Sequence, residues 1–152
     1  MARRVFFSFH FENDIWRANQ VRNCNVVAGP DVAGFFDHSE YEGAKRKGEE
    51  EIKRLIRSKL TGTTVTVVLI GSETASRPYV QYEIQQSIGQ KNGLLGIYIH
   101  HLEDQEGRTS NQGPKPAVPY GVEFPAYAWD KDLRKFAQEI EAAGKRADAL
   151  RR

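Results

Sequence analysis

Glu83 stands four residues after Tyr79 and three after Val80, in a segment where Val80, Ile84 and Ile88 recur at helical spacing. That spacing places the carboxyl on the flank of the helix's inner face, close to the helix start. The positive end of the helix dipole would hold it ionised there. A fixed anion beside a cleft suits a reaction that develops positive charge, such as glycosidic cleavage through an oxocarbenium-like centre. The same spacing also describes an ordinary exposed glutamate, and taken alone it favours that plainer reading. Other candidates are weaker. His100 and His101 are adjacent, so a strand or turn points them apart, which is poor for holding one metal; a solvated pair at a loop entry is the plainer account. Cys24 is the only cysteine and suits a small buried hydrophobe better than a nucleophile. Asp37 could open an acidic magnesium site, but no acidic pair follows the first strand. A phosphate loop ending in Lys-Ser/Thr, GxGxxG after the first strand, GxSxG and HExxH are all absent.

The segments that must carry these residues alternate strand and helix. Arg4–Phe9 is aromatic and β-branched and reads as a buried strand. Asn13 or Asp14 can then cap a helix whose inner face holds Ile15, Trp16, Ala18, Val21 and Cys24. Val32–Phe36 is a short second strand, and 41–60 one long helix with Ile52, Leu55, Ile56 and Leu60 inside, stopped by Gly62. Thr64–Ile70 is continuous enough to be a central strand covered on both faces. Pro78 suits the first turn of a helix over 79–90. Leu94–Ile99 is a further buried strand and Tyr127–Trp129 a short last one. Asp130 caps a final helix carrying Leu133, Phe136 and Ile140, followed by a charged, frayed tail at 144–152. The stretch 103–121 has prolines and glycines but no period; loops this long are functional or mobile, so it either covers the cleft, contacts a neighbouring subunit or is a passive excursion.

Such alternation means right-handed crossovers and an α/β fold: one three-layer, flavodoxin-like domain over 1–143, with a mainly parallel five-stranded sheet ordered 2-1-3-4-5. Ligands of such sheets bind beyond the carboxyl ends of the strands. This directs attention to Ser8–Asn13, Asp37–Ser39, Ser72–Tyr79, His100–His101 and Asp130. A length of 152 residues matches one domain, and 39% hydrophobic with 28% charged residues excludes collagen-like, low-complexity and disulfide-stapled classes. With 22 basic against 20 acidic side chains, interspersed, no clustered basic face argues for nucleic acid or a membrane. The apolar run near the start ends at His10, too short for a signal-peptide core, and no run is long enough to span a bilayer; a cytoplasmic protein is expected.

The segment VFFSFHFENDIW at Val5–Trp16 resembles the first box of TIR domains, where an aromatic-Ser-aromatic strand end leads into a polar loop. Gly34–Ile84 follows the rest of that pattern in order: a strand ending in Asp37, Gly48 before a helix, a hydrophobic strand ending in Gly71-Ser72, and an aromatic-Val-x-x-Glu-Ile segment at Tyr79–Ile84. The wording of GSETASRPYVQYEI and of NGLLGIYIH at Asn92–His100 resembles the TIR-like family of bacterial Thoeris antiphage systems. The resemblance implies an NAD+-consuming enzyme in which Glu83 is the catalytic glutamate, with Phe9, His10, Asp37, Ser72 and Tyr79 around the substrate. It implies that nicotinamide leaves, that Glu83 holds the ribose hydroxyls and stabilises the positive anomeric carbon, and that attack from within the same molecule gives a cyclic ADP-ribose isomer. Water attack would give ADP-ribose. NAD+ is then substrate, with no separate cofactor or metal. A phage-derived trigger, a separate effector reached through the messenger, and a homo-oligomer are implied with it. Two other readings stay open: a non-catalytic adaptor working through protein contacts, and a module that senses NAD-derived ligands without turning them over.

Overall fold

All six residues of Val65–Ile70 (β3) are buried, as an unbroken apolar and β-branched run at the middle of a parallel sheet must be. In the computed structural model, which describes residues 3–24, 32–34 and 38–152, β3 pairs in parallel with Val5–Ser8 (β1) and with Gly93–Tyr98 (β4). Val32–Gly34 (β2) lies beyond β1 and Ala126–Ala128 (β5) beyond β4, so the five parallel strands run in the order 2-1-3-4-5. The expected α/β class and strand order are therefore found. The helices are Phe11–Arg22 (α1), His38–Lys47 (α2), Glu49–Leu60 (α3), Pro78–Gly89 (α4) and Leu133–Leu150 (α5). The larger apolar core includes Phe7, Ile52, Ile56, Val67, Leu95 and Phe136; a smaller one gathers Val68, Ile70, Val80, Ile84, Leu94 and Phe124.

Several elements differ from the sequence expectation, each for a local reason. The single helix expected over 41–60 is two, because Gly48 adopts φ +108° and ψ −179°, a conformation that L side chains rarely take. Three glutamates, Glu49, Glu50 and Glu51, then open α3 at its positive end. The helix α1 begins at Phe11, earlier than a cap at Asn13 or Asp14 would place it, and its inward face is rotated. Trp16 is half exposed, whereas Asp14 and Arg17 are buried and paired at 3.0 Å. Cys24 is partly buried against the larger core.

At the other end of the chain, Asp132, not Asp130, caps α5, its carboxylate accepting the Lys135 amide at 3.0 Å. The helix continues to Leu150, and Ala143, Gly144 and Ala147 are buried within it. Residues 144–150 are thus packed helix, not a frayed tail, tied further by Arg3 to Glu141 and Asp148. The 103–121 stretch has no helix or strand but is anchored. Arg17 donates to the carbonyls of Leu102 and Arg108, each at 2.9 Å. Gly113 sits against the Gly71 and Ser72 carbonyls, where an added Cβ would stand 2.3 and 2.6 Å from their oxygens. No described helix is long and apolar enough to cross a membrane.

Candidate active site

The site forms where β1 ends and α4 begins. Strand β1 closes on Ser8, and the chain passes through Phe9 and His10 directly into α1. On the neighbouring strand, β3 gives way at Gly71, whose amide donates to Thr74 Oγ1 at 2.7 Å, and a single 3-10 turn follows at Thr74–Ser76. Arg77 is held extended (φ −82°, ψ 124°) by the proline after it, and Pro78 occupies the first helical position, where its missing N–H costs nothing. Between the end of β1, the start of α4 and the inner faces of α2 and α3 lies a cavity of about 190 Å³. Phe9, His10, Tyr79 and Glu83 all line it, with Phe11, Tyr41 and Arg77.

Glu83 is only 4% exposed. It lies in the second turn of α4, on the face shared by Val80, Ile84 and Ser87, which are also buried. The dipole acts within the first turn, so burial governs the carboxyl instead. Desolvation pushes its pKa up to about 8, against the pull of one hydrogen bond from Ser8. The expectation of an anion held by the helix end is therefore corrected: in the ligand-free protein Glu83 is mostly a neutral acid at pH 7. Ser8 Oγ donates to Glu83 Oε1 at 2.6 Å, with both residues buried.

The cavity has an aromatic wall. Phe9 and Phe11 stack with ring centroids 5.9 Å apart, and Phe11 stacks on Tyr41 at 4.2 Å. Tyr41 donates its hydroxyl to Glu12 Oε1 at 3.2 Å, which Lys45 also reaches at 3.0 Å. His10 is half buried; desolvation, and then the Arg77 charge, hold its pKa below the usual imidazole value. His10 Nδ1 and Arg77 Nε are both buried without a hydrogen-bond partner among the described residues. Arg77 Nη2 pairs with Glu73 at 2.9 Å. Arg77 is the only lysine or arginine on the lining among the described residues.

Not every anticipated residue gathers here. Ser72 is absent from the lining, its carbonyl covered by Gly113. Asp37 lies outside the described residues. The 103–121 loop contributes nothing to the cavity wall. His101 Nε2 lies 2.6 Å from the Trp129 carbonyl, and its ring meets His100 edge-on. Among the described residues, no three His, Cys, Asp or Glu side chains cluster to hold a metal. Sequence reasoning did not single out Ser8, Phe11, Tyr41 or Arg77. Ser8, Phe11 and Arg77 fell within strand-end segments already marked, but nothing in their spacing distinguished them.

The family model described as "Thoeris protein ThsB, TIR-like domain" matches residues 6–104, from β1 through β4. The chain is also 44% identical over 126 residues to a protein of Bacillus cereus (strain MSX-D12) named "Putative cyclic ADP-D-ribose synthase ThsB1". That alignment takes in 82% of this chain and 66% of the relative, so the chain spans just under two thirds of the curated relative's length. The matched span contains both the strand end that carries Ser8 and the helix that carries Glu83, over well more than half of the sequence, and on that ground the chain belongs to the TIR-like domain family of the Thoeris protein ThsB.

Proposed function

We propose that this protein cleaves NAD+ at the bond between nicotinamide and ribose and closes the remainder into a cyclic ADP-ribose isomer that serves as a messenger. The observation that carries the reading is Glu83, a buried carboxyl on the lining of an aromatic-walled cavity. The name of the Bacillus cereus relative, a cyclic ADP-D-ribose synthase, supports it. At about 190 Å³ the cavity is smaller than the roughly 300–1,000 Å³ of whole-ligand sites, so it takes one end of the dinucleotide. Phe9, Phe11 and Tyr41 offer ring faces that suit a flat cationic pyridinium.

With the nicotinamide riboside end inside, the bond from the anomeric carbon to the pyridinium nitrogen breaks. Its electron pair stays with the nitrogen, and neutral nicotinamide leaves. The positive charge now on the anomeric carbon is what an ionised Glu83 stabilises. A ring nitrogen or hydroxyl elsewhere in the same molecule then bonds to that carbon, a hydroxyl losing its proton as it does so. A tight, largely apolar wall favours this internal attack over attack by water. In the same reading the messenger reaches a separate effector, a phage-derived component triggers turnover, and the active form is a homo-oligomer; family membership supports these steps.

The direct test is mass spectrometry of small-molecule filtrates from phage-infected cells expressing the chain. A new species isomeric with cyclic ADP-ribose, with matching nicotinamide, is expected. An adaptor acting only through protein contacts yields neither in any infection. The rim carries a second expectation. Arg77, whose Nε has no partner among the described residues, would meet a diphosphate extending from the cavity. Losing one hydrogen bond between charged groups weakens binding by about 1.5–3 kcal/mol, so Arg77→Ala should raise KM for NAD+ at least about tenfold while kcat changes little. Nicotinamide riboside lacks the diphosphate and should be cleaved equally by both proteins; an equal loss on both substrates would remove Arg77 from this role.

A further inference from the structure

Ser8 occupies a place where a hydroxyl needs a reason. It closes the run VFFS on β1, is fully buried, and lies beside Val68 of the central strand. A hydroxyl there is unfavourable unless it is bonded. Among the described residues, the side chain that takes its hydrogen bond is Glu83, 75 residues later in the chain. Oε1 is thereby engaged at 2.6 Å, whereas Oε2 has no hydrogen-bond partner among the described residues and the carboxyl lines the cavity. The backbone beneath is fixed as well. Ser87 Oγ donates to the Glu83 carbonyl at 2.7 Å and lies 2.7 Å from Thr66 Oγ1 on β3. Helix α4 is thus tied to the sheet one turn beyond Glu83, and the bond from Ser8 holds the carboxyl itself.

We propose that Ser8 is a positioning residue for the reaction: its hydroxyl holds Glu83 Oε1, turns Oε2 toward the reacting carbon and stabilises the anion as it forms. This rests on the role given to Glu83 under the proposed function. An O–H donor bonds more strongly to a carboxylate than to a carboxylic acid, and Ser8 Oγ already stands at hydrogen-bond distance, 2.6 Å, from Oε1. The bond therefore strengthens as Glu83 ionises, which is when the anomeric carbon becomes positive. A purely structural hydroxyl would support the fold equally at every pH and in every protonation state of Glu83.

The experiment compares wild type, Ser8→Ala, Ser8→Cys and Glu83→Gln by steady-state NAD+ cleavage from pH 5.5 to 9.5, with circular dichroism to verify folding. Ser8→Ala should lower kcat about ten- to a hundredfold with little change in KM, as losing a hydrogen bond to a charged group does. It should also move the acid limb of kcat/KM about one pH unit alkaline. Ser8→Cys, nearly isosteric with a weaker donor, should fall between Ser8→Ala and wild type. An unmoved acid limb with kcat within twofold in Ser8→Ala overturns the inference; if Ser8→Ala does not fold, an unmoved limb in Ser8→Cys does so instead. Glu83→Gln separates the two levels. If it retains turnover, the role given to Glu83 fails and the inference with it. If Glu83→Gln is inactive and the Ser8 variants behave as wild type, only the inference about Ser8 fails.

Discussion

Glu83→Gln is expected to lose NAD+ cleavage by about a thousandfold or more and, at the same time, to melt higher than wild type in alkaline buffer. The activity loss follows because a neutral amide cannot balance a positive anomeric carbon. The stability gain follows from burial. In the unfolded chain the carboxyl titrates near its ordinary 4.5, whereas in the folded protein it titrates near 8. Between those values the folded state binds more protons than the unfolded one, so stability falls as pH rises. Below 4.5 both states are protonated and nothing is lost; above 8 the wild type carries the full penalty of a buried anion. Glutamine fills the same space, keeps an oxygen for the Ser8 hydroxyl and does not titrate. With a penalty on the order of a few kcal/mol and about 2–4 °C of melting temperature per kcal/mol at this length, the gap at pH 9 should be on the order of 5 °C or more. It should shrink toward zero near pH 5. A melting difference that is the same at both pH values would show that the carboxyl is not a buried acid. Loss of activity with unchanged folding would also separate an enzyme from an adaptor, whose signalling should survive the substitution.

How far this site is legible in the sequence depends on which signals a helix face displays. Val80 and Ile84 mark the inner face of α4, but the positions that complete it are Glu83 and Ser87, polar residues that hydropathy assigns to water. The carboxyl's partner is Ser8 on β1, and the Ser87 hydroxyl, besides bonding the Glu83 carbonyl within the helix, meets Thr66 on β3; both strand residues are distant from α4 in the sequence. Asp14 and Arg17 hid in the same way on α1, as a mutually neutralising pair inside a face that apolar periodicity had rotated outward. At 144–150 the missing signal was size: Gly144 and Ala147 pack through absence of bulk, which no hydrophobic period reports. By contrast, the strand order was readable. Five β-rich runs, the first four separated by helical segments, leave few right-handed arrangements, and β3, apolar at nearly every position, can only be central. Phe9, His10, Tyr79 and Glu83, which the family motif brings together, line one cavity, at the end of β1 and the start of α4. Ser72, also at a strand end, lies beside the covering Gly113 and does not reach that lining.

The pH dependence of turnover turns this burial into a kinetic signature. A free enzyme whose essential anion titrates near 8 should show kcat/KM rising about tenfold per pH unit through the neutral range and levelling above pH 8. Had the helix dipole held the carboxylate ionised, the same profile would be flat from pH 6 upward. The kcat profile should differ from both. Once NAD+ is bound, its pyridinium places a positive charge beside Glu83 and favours the anion, so the acid limb of kcat should lie below that of kcat/KM. Binding at pH 7 must then release a proton. Calorimetry in two buffers of different ionisation enthalpy measures that proton directly, and Glu83→Gln should abolish its release even if binding survives. His10 does not confuse the assignment, because desolvation and the neighbouring Arg77 keep its pKa below the ordinary imidazole range. Keeping the acid neutral until a cationic substrate arrives lets the empty cavity avoid a buried charge. The same arrangement ties formation of the catalytic anion to the presence of the ligand that needs it. Coincident acid limbs for kcat and kcat/KM, with no proton released on binding, would separate ionisation of Glu83 from substrate entry and remove that coupling.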